Sequence, residues 1–325
     1  MLLEVKEVSN TYIRRSLFAG PQVKPVLDRI NLTMRQGETF GLLGESGCGK
    51  TTLAKCVLGL IGYEGEIRID GAAREKKRRR ELAKKVQAVF QDPSTALNPV
   101  KTVGALLEEP LKIHRTGSGS RTERGRQVDE TLALVGLDPS YKTRFPAELS
   151  GGQRQRVAIG CALMLKPKLI VADEPTSALD VSAASHIMNL FTTLRRRLNL
   201  GLLFISHNVK AVYHLADRIG VMYQGQIVEM GEAGAVYEQP LHPYTRFLLD
   251  CAAPDTPLNN DAPEMTEKNR AQCRFARECP WSSPRCVTEP PELVDTAPRG
   301  APPHLTRCRR LRSLRLFHKR PAPRL

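Results

Sequence analysis

The stretch Gly44-Glu45-Ser46-Gly47-Cys48-Gly49-Lys50-Thr51 decides the fold of this 325-residue chain. It matches the pattern G-x-x-x-x-G-K-[S/T] in full, follows the apolar segment Thr39–Leu43 and precedes a helix-like segment that begins at about Lys50. The glycines let the backbone curl so that successive N–H groups point into one concavity, which suits phosphate oxygens. The pattern therefore predicts a phosphate-binding loop between a strand and a helix, the start of an α/β unit.

The predicted loop assigns different tasks to its side chains and its backbone. Lys50 is expected to reach the β- and γ-phosphates of a nucleotide, and the Thr51 hydroxyl to bind Mg²⁺. The helix that follows presents its positive N-terminal end to the same phosphates. The residues predicted to contact the nucleotide here are Gly44, Ser46, Gly47, Cys48, Gly49, Lys50, Thr51 and Thr52. By itself the motif defines only the large class of P-loop proteins that hydrolyse nucleoside triphosphates.

The rest of the first 253 residues alternates between strand and helix patterns. The predicted strands are Leu2–Val8, Ile30–Met34, Thr39–Leu43, Leu169–Ala172 and Leu202–Ser206, and the predicted helices include Lys50–Leu60, Gly152–Leu165 and Ala183–Leu198. Alternation of this kind predicts a mostly parallel sheet with helices on both faces. The earliest strands precede the phosphate loop and are expected to form an N-terminal antiparallel β element.

Composition divides the chain into an α/β domain and a smaller C-terminal module. The domain is predicted to span residues 1–253, with a core over about 1–91 and 150–253 that resembles the RecA-like core of P-loop proteins, and a helical subdomain inserted over about 92–149. The inserted segment has helix-period apolar residues, interrupted by a loop at Thr116–Ser120. Residues 254–325 are rich in proline and carry isolated cysteines, so we expect a separate element with little core of its own.

The formal net charge of +15 and the absence of long apolar runs limit the possible partners. No run approaches the roughly 18–20 apolar residues of a membrane span, and the first residues lack a signal-peptide pattern, so we expect a cytosolic chain. The basic clusters Arg74–Lys85 and Arg307–Arg324 are interpreted as a solvated loop and tail, or as contacts to lipid headgroups or an acidic partner. Without a nucleic-acid-binding motif, no specific nucleic acid is expected.

A second glycine-framed helix start narrows the class. Leu149-Ser150-Gly151-Gly152-Gln153 resembles the signature sequence of the ATP-binding cassette (ABC) family and, physically, is another phosphate site built from a serine hydroxyl and free N–H groups. In that family the signature of one subunit closes over the nucleotide held by the phosphate loop of its partner. The resemblance implies that Ser150, Gly151, Gly152 and Gln153 contact a nucleotide bound to another chain.

Other positions match the family's motifs in the family's order. Asp173 ends the apolar run Leu169–Ala172, where the family places an aspartate that binds Mg²⁺, and Glu174 would orient and polarise the attacking water. The remaining matches are His207 as the switch histidine at the γ-phosphate, Gln91 as the Q-loop glutamine that binds Mg²⁺ with Thr51 and Asp173, Asp180 at the end of the D-loop Ser177–Asp180, and Tyr12 as the aromatic residue stacked on adenine. The complete set predicts ATP hydrolysis rather than nucleotide binding alone.

Two positions depart from the family's usual pattern. Asn208 follows the switch histidine where the family usually has aspartate, and Cys161 occupies a position in the signature helix that is usually arginine. Neither change removes a group from the reaction. The first removes a charge close to His207 and could alter the switch.

The tail points to one branch of the family. Phe90–Pro99, Gly152–Val157 and His242–Thr245 resemble the oligopeptide and dipeptide importer ATPases, and Cys273, Cys279, Cys286 and Cys308 resemble the C-terminal cysteine module of those subunits. In some members that module carries a [4Fe–4S] cluster. Four thiolates suit an iron–sulfur cluster or tetrahedral zinc, and a metal-free module is the third possibility. Cys48, Cys56, Cys161 and Cys251 form no matching group.

The resemblance implies a subunit that energises import of short peptides by hydrolysing ATP. Its implied partners are a second, related ABC ATPase, two transmembrane permeases and, through the complex, an extracytoplasmic solute-binding protein. The place of work would be the cytoplasmic face of a bacterial inner membrane. The same role for nickel or another small solute, and an accessory ATPase of a soluble complex of the carbon–phosphorus lyase type, remain open alternatives.

Overall fold

The structure is a computed structural model that describes residues 1–14, 22–74, 79–114, 120–251 and 272–309. Most of the expected loop at Thr116–Ser120, part of the basic cluster Arg74–Lys85, the expected boundary at residue 254 and the basic tail beyond Arg309 lie outside these residues. Two sheets organise the described chain.

The smaller sheet is antiparallel and has four strands in the order β2-β1-β4-β5. Its strands are β1 (Leu3–Arg14), β2 (Gln22–Met34), β4 (Glu64–Ile69) and β5 (Ala72–Ala73). The longest pairing joins β1 and β2 into a ribbon that runs from Leu3 opposite Met34 to Arg14 opposite Gln22. The expected N-terminal antiparallel element is therefore present.

The larger sheet has eight strands in the order β11-β12-β10-β9-β3-β8-β7-β6. They are β3 (Thr39–Leu43), β6 (Val86–Val89), β7 (Leu169–Asp173), β8 (Gly201–Ser206), β9 (Arg218–Tyr223), β10 (Gln226–Glu232), β11 (Val294–Asp295) and β12 (Leu305–Thr306). The run β9-β3-β8-β7-β6 is parallel throughout. Every residue of β3, β7 and β8 is buried, which explains why these segments are almost wholly apolar rather than alternating.

Helices cover the large sheet and form a separate group before the signature sequence. They are α1 (Lys50–Leu58), α2 (Arg79–Lys85), α3 (Pro93–Ala96), α4 (Val103–His114), α5 (Arg121–Leu134), α6 (Gly151–Leu163), α7 (Val181–Leu198), α8 (Val209–Leu215), α9 (Ala233–Glu238), α10 (Pro243–Cys251) and α11 (Pro284–Thr288). The predicted helices at α1, α6 and α7 are confirmed within three residues at each end. The first ends early because Gly59 takes a left-handed conformation with φ 81°.

One edge of the large sheet collects the ends of the central strands. Because β3, β6, β7 and β8 are parallel, their carboxyl ends lie together. The phosphate loop leaves β3, Gln91 follows β6, Glu174 follows β7 and His207 follows β8. The crevice beyond the carboxyl ends is where parallel α/β sheets bind ligands.

The C-terminal segment is built into the large sheet. β12 pairs with β10, with Thr306 opposite Glu229, and Arg307 N donates a hydrogen bond to the Val228 carbonyl. Phe275 is buried within the same apolar core as the central strands. Strands of two residues leave no periodic signal, so the sequence could not reveal this pairing.

Candidate nucleotide-binding site

The phosphate loop is tightly folded around the Lys50 side chain. Lys50 is buried, and its ammonium donates hydrogen bonds to the carbonyls of Gly44 (2.6 Å) and Glu45 (2.8 Å). Gly49 begins α1 with φ 113°, and no side chain caps that helix. A Cβ atom on Gly44 would lie 2.3 Å from the Met222 carbonyl oxygen, so glycine is required there. The N-terminal N–H groups of α1 are thus left to a ligand, as an anion site demands.

Thr51 and Asp173 form the part of the site that suits a divalent cation. The Thr51 hydroxyl donates a hydrogen bond to the Asp173 carboxylate, which ends β7 and is buried. Burial raises the pKa of Asp173, and the Thr51 hydrogen bond works in the opposite direction. Among the described residues, Asp173 Oδ1 has no hydrogen-bond partner. A buried oxygen without a partner next to a hydroxyl fits the oxygen ligation that Mg²⁺ prefers.

Glu174 and His207 are brought together by the ends of neighbouring strands. His207 Nδ1 lies 2.9 Å from Glu174 Oε1. Glu174 adopts φ 52°, unusual for a residue with a side chain, and its N–H donates to the Ile205 carbonyl on β8. The turn after β7 therefore directs this carboxylate away from the strand pairing and towards the histidine. Strain of this kind is often found at functional sites.

Gln91 lies beside this group at the sheet edge. It follows β6 by two residues, and Val89 at the end of β6 pairs with Ala172, the neighbour of Asp173. The Gln91 side chain is exposed. Strand register thus places the Gln91 backbone next to the acidic turn.

The signature segment forms a surface of its own. Ser150 caps α6: its hydroxyl accepts from Gln153 N (3.3 Å), while Gln153 Oε1 accepts from Ser150 N (2.9 Å). A Cβ on Gly152 would lie 3.5 Å from Ala183 at the start of α7, and Asp180 caps α7 by accepting from Ala183 N at 2.8 Å. The signature segment (149–153) and the D-loop (177–180) therefore lie side by side. Among the described residues, no hydrogen bond joins 149–153 to 44–51.

Tyr12 lies on the β1–β2 ribbon, which passes close to the phosphate loop. It pairs with Lys24, and a Cβ on Gly49 would lie 3.0 Å from the carbonyl oxygen of Val26, two residues further along β2. The Tyr12 side chain is 45% exposed and lines an open cavity of about 470 Å³ together with Tyr63, beyond the C-terminal end of α1. The ribbon that carries Tyr12 thus approaches the phosphate loop at Val26.

The two departures from the family pattern occupy ordinary structural positions. Asn208 caps α8 by accepting a hydrogen bond from Ala211 N at 3.1 Å, and aspartate caps helices equally well. Cys161 is partly buried and packs against the large core. Asn208 therefore keeps the cap that aspartate would form, without the charge.

Sequence reasoning missed one residue of this site, Tyr244. The motif His242–Thr245 served only as a branch marker, yet Tyr244 is fully buried and its hydroxyl accepts a hydrogen bond from Glu45 N in the phosphate loop at 3.2 Å. The two residues are 199 positions apart. No local pattern signals a contact over such a separation.

The four tail cysteines line one small cavity, with a volume of about 20 Å³. They are Cys273, Cys279, Cys286 and Cys308, and none of them forms a disulfide. Burial raises the pKa of the Cys279 thiol to about 12. Across the described residues, no three His, Cys, Asp or Glu side chains already stand in a metal-ligating arrangement. The donor chemistry suits a soft metal, but the sulfurs do not close around one.

Comparison with known proteins agrees with this site. The family model described as ABC transporter matches residues 27–177, and the model described as the C-terminal region of oligopeptide/dipeptide transporters matches residues 228–286. The dimeric structure of MJ0796, a bacterial ABC transporter cassette, matches with a TM-score of 0.63 and 28% identity, covering 71% of this chain and 99% of that one.

Full-length relatives are closer in sequence. The oligopeptide transport ATP-binding protein AppF of Bacillus subtilis is 40% identical, with 91% of this chain and 94% of that protein aligned. The di/tripeptide transport ATP-binding protein DppF of Pseudomonas aeruginosa is 41% identical, with 90% of this chain and 94% of that protein aligned. The fold and the site define an ABC ATPase. The chain belongs to the ATP-binding proteins of the oligopeptide/dipeptide transporter family.

The described chain contains no helix that is both long and apolar enough to cross a membrane.

Proposed function

We propose that this chain hydrolyses ATP to drive import of di- or oligopeptides, and that Lys50, Asp173, Glu174 and His207 carry out the reaction. The observation that supports this most directly is the arrangement at the sheet edge. Glu174 and His207 lie 2.9 Å apart, next to the buried Asp173 that hydrogen-bonds Thr51 at the start of α1. The sites for the attacking water, the Mg²⁺ ion and the phosphates would then lie together at the carboxyl edge of the parallel strands.

The residues divide the work of phosphoryl transfer, which rests mainly on positioning and charge neutralisation. Lys50, still held by the Gly44 carbonyl, would direct its remaining N–H groups to phosphate oxygens, and Glu174, oriented by His207, would hold the attacking water. Thr51 and Asp173, with Gln91 beside them, would hold the Mg²⁺ that neutralises charge on the phosphates. Tyr12, on the ribbon near the loop, would stack on adenine.

We further propose that the site is completed by another chain. The signature segment is exposed at Ser150 and makes no hydrogen bond to the chain's own phosphate loop among the described residues. Asp180 and the exposed Val181, next to that segment, would form part of the same dimer face. ATP would draw two ATPase subunits together and hydrolysis would release them, and the membrane partners would respond to this change.

The proposed setting is the cytoplasmic face of a bacterial inner membrane. The partners would be a second, related ATPase, two permeases and, through the complex, a solute-binding protein. Support comes from relatives named for peptide transport. Purification of the tagged chain in mild detergent should recover membrane-spanning proteins. A complex of soluble subunits only would contradict the importer proposal and favour the carbon–phosphorus lyase type of accessory ATPase.

The domain division proposed from sequence is compatible with the elements observed. Helices α3 to α5 occupy the proposed subdomain at 92–149, between β6 and the signature helix. We propose that this group forms the helical subdomain of the ATPase domain, and that residues 254–325 form the C-terminal cysteine module, whose strand β12 pairs with β10 of the large sheet.

We also propose that the four tail cysteines hold a [4Fe–4S] cluster, with zinc as the alternative. The supporting observation is that one cavity gathers all four from a segment that spans 36 positions, from Cys273 to Cys308. Iron, acid-labile sulfide and zinc should be measured on protein purified without oxygen. About four irons and four sulfides per chain, lost in a Cys279→Ser variant, would support the cluster. A colourless, zinc-loaded protein would contradict it, and a metal-free protein would contradict both.

A further inference from the structure

Tyr244 connects the phosphate loop with the C-terminal segment. It lies in the first turn of α10 and is fully buried, and its backbone N–H donates to His242 Nδ1 at 3.1 Å. Its hydroxyl accepts a hydrogen bond from Glu45 N at 3.2 Å. Tyr244 is therefore held at its backbone N–H and at its hydroxyl, and the hydroxyl lies at the beginning of the phosphate loop.

The peptide group that Tyr244 contacts is also the one that holds Lys50. Glu45 N–H and the Gly44 carbonyl belong to a single peptide plane, which is rigid. On one side that plane donates to Tyr244, and on the other its carbonyl accepts from the Lys50 ammonium at 2.6 Å. Rotation of the plane would move the carbonyl that positions the ammonium.

The ring of Tyr244 is held by aromatic neighbours, one of which comes from the C-terminal segment. Its centroid lies 4.4 Å from that of Tyr223 and 5.5 Å from that of Phe275, in a T-shaped contact. Phe275 follows Cys273 by two residues. A tyrosine hydroxyl is protonated at neutral pH, and burial raises the pKa of Tyr244 further.

We propose that Tyr244 is a positioning residue for nucleotide binding. Its hydroxyl orients the Gly44–Glu45 peptide so that Lys50 is placed to meet the phosphates, and Phe275 of the cysteine segment keeps the ring in place. The inference rests on the proposed ATPase function, and it assigns the C-terminal segment a role at the nucleotide site.

The test compares two tyrosines of the same aromatic group. Tyr244→Phe removes only the hydroxyl that reaches the phosphate loop, whereas Tyr223→Phe removes a hydroxyl that donates to Glu278 at 2.8 Å. MgATP affinity is measured by calorimetry on the full-length chain, and KM, kcat and the melting temperature on the same preparations. Loss of one hydrogen bond should raise Kd and KM for ATP roughly three- to ten-fold in Tyr244→Phe, with a smaller change in kcat. Tyr223→Phe should match the unaltered chain in both constants.

Phe275→Leu provides a second test in case Tyr244→Phe does not fold. It should weaken ATP binding in the same direction because it loosens the ring without touching the loop. Equal ATP constants in the unaltered chain and in Tyr244→Phe, or unchanged binding in Phe275→Leu, would overturn the inference while leaving the ATPase proposal intact. Failure of the unaltered chain to bind MgATP would instead contradict the proposed function itself.

Discussion

The chain begins two helices with glycine-framed turns, but the two turns differ in what satisfies them. At α1 the cap residue is Gly49, no side chain closes the helix, and Lys50 is folded back onto loop carbonyls. At α6, Ser150 and Gln153 form a complete capping box. The N-terminus of α1 leaves backbone N–H donors for a ligand. At the N-terminus of α6, side chains of the same turn accept from these donors, and the turn stays exposed at the surface. The same local pattern therefore builds an internal ligand site in one place and a docking face in the other.

Substitution of Lys50 tests the internal site and should have the largest effect on ATP binding. Lys50→Ala removes the charge that would neutralise the phosphates. A hydrogen bond to a charged group is worth about 1.5–3 kcal/mol, so the affinity for ATP should fall about ten- to one-hundred-fold. Calorimetry with MgATP measures it. Lys112→Ala, which removes a lysine on α4 paired with Glu108, serves as the control and should bind ATP normally. Unchanged binding in Lys50→Ala would show that the loop is not the phosphate site.

Glu174→Gln separates binding from hydrolysis at the same site. The amide keeps the size of the side chain but cannot polarise water as a carboxylate does, so turnover should fall by about 10²–10³ while ATP remains bound. Phosphate release and retained nucleotide are measured on the purified complex. Glu130→Gln, an exposed acid on α5, should retain full turnover. Near-normal hydrolysis in Glu174→Gln would remove Glu174 from the reaction.

Ser150→Ala tests the docking face and should have the smallest effect on the isolated chain. Loss of the cap should lower the free energy of unfolding by about 0.5–2 kcal/mol and leave the chain's own ATP affinity unchanged. Turnover of the assembled complex should fall, because the hydroxyl would contact the partner's nucleotide. Chemical denaturation and phosphate release measure the two effects.

The matched control is Ser120→Ala, since Ser120 caps α5 in the same way by accepting from Glu123 N at 3.1 Å. It should have a similar stability cost without the loss of turnover. If both serine variants reduced turnover equally, Ser150 would be acting only as a helix cap.

Much of the fold could be predicted because its signals are local. The phosphate loop is contiguous in sequence, and buried parallel strands such as β7 and β8 appear as unbroken apolar runs. Because β7 and β8 are parallel, Asp173 and His207 at their carboxyl ends lie at the same edge of the sheet, and this follows from the strand assignment alone. The roles assigned to these residues remain predictions for the experiments above.

The features that could not be predicted depend on contacts between distant positions. The pairing of β12 with β10 involves two residues on one side, and the hydrogen bond from Glu45 N to Tyr244 joins a loop to a helix 199 residues away. Such contacts follow from the packed tertiary structure and not from periodicity. The link between the cysteine segment and the phosphate loop therefore became visible only in the structure.

The central claim, that another chain completes this nucleotide site, can be tested by one cross-linking measurement. A photo-reactive amino acid replaces Val181, which is 86% exposed next to the signature segment, in the Glu174→Gln chain within its purified complex. With MgATP, mass spectrometry should find it joined to the phosphate-loop region of a different ATPase chain, and the link should be lost with ADP. A link to the chain's own phosphate loop, or one independent of nucleotide, would contradict the two-chain site.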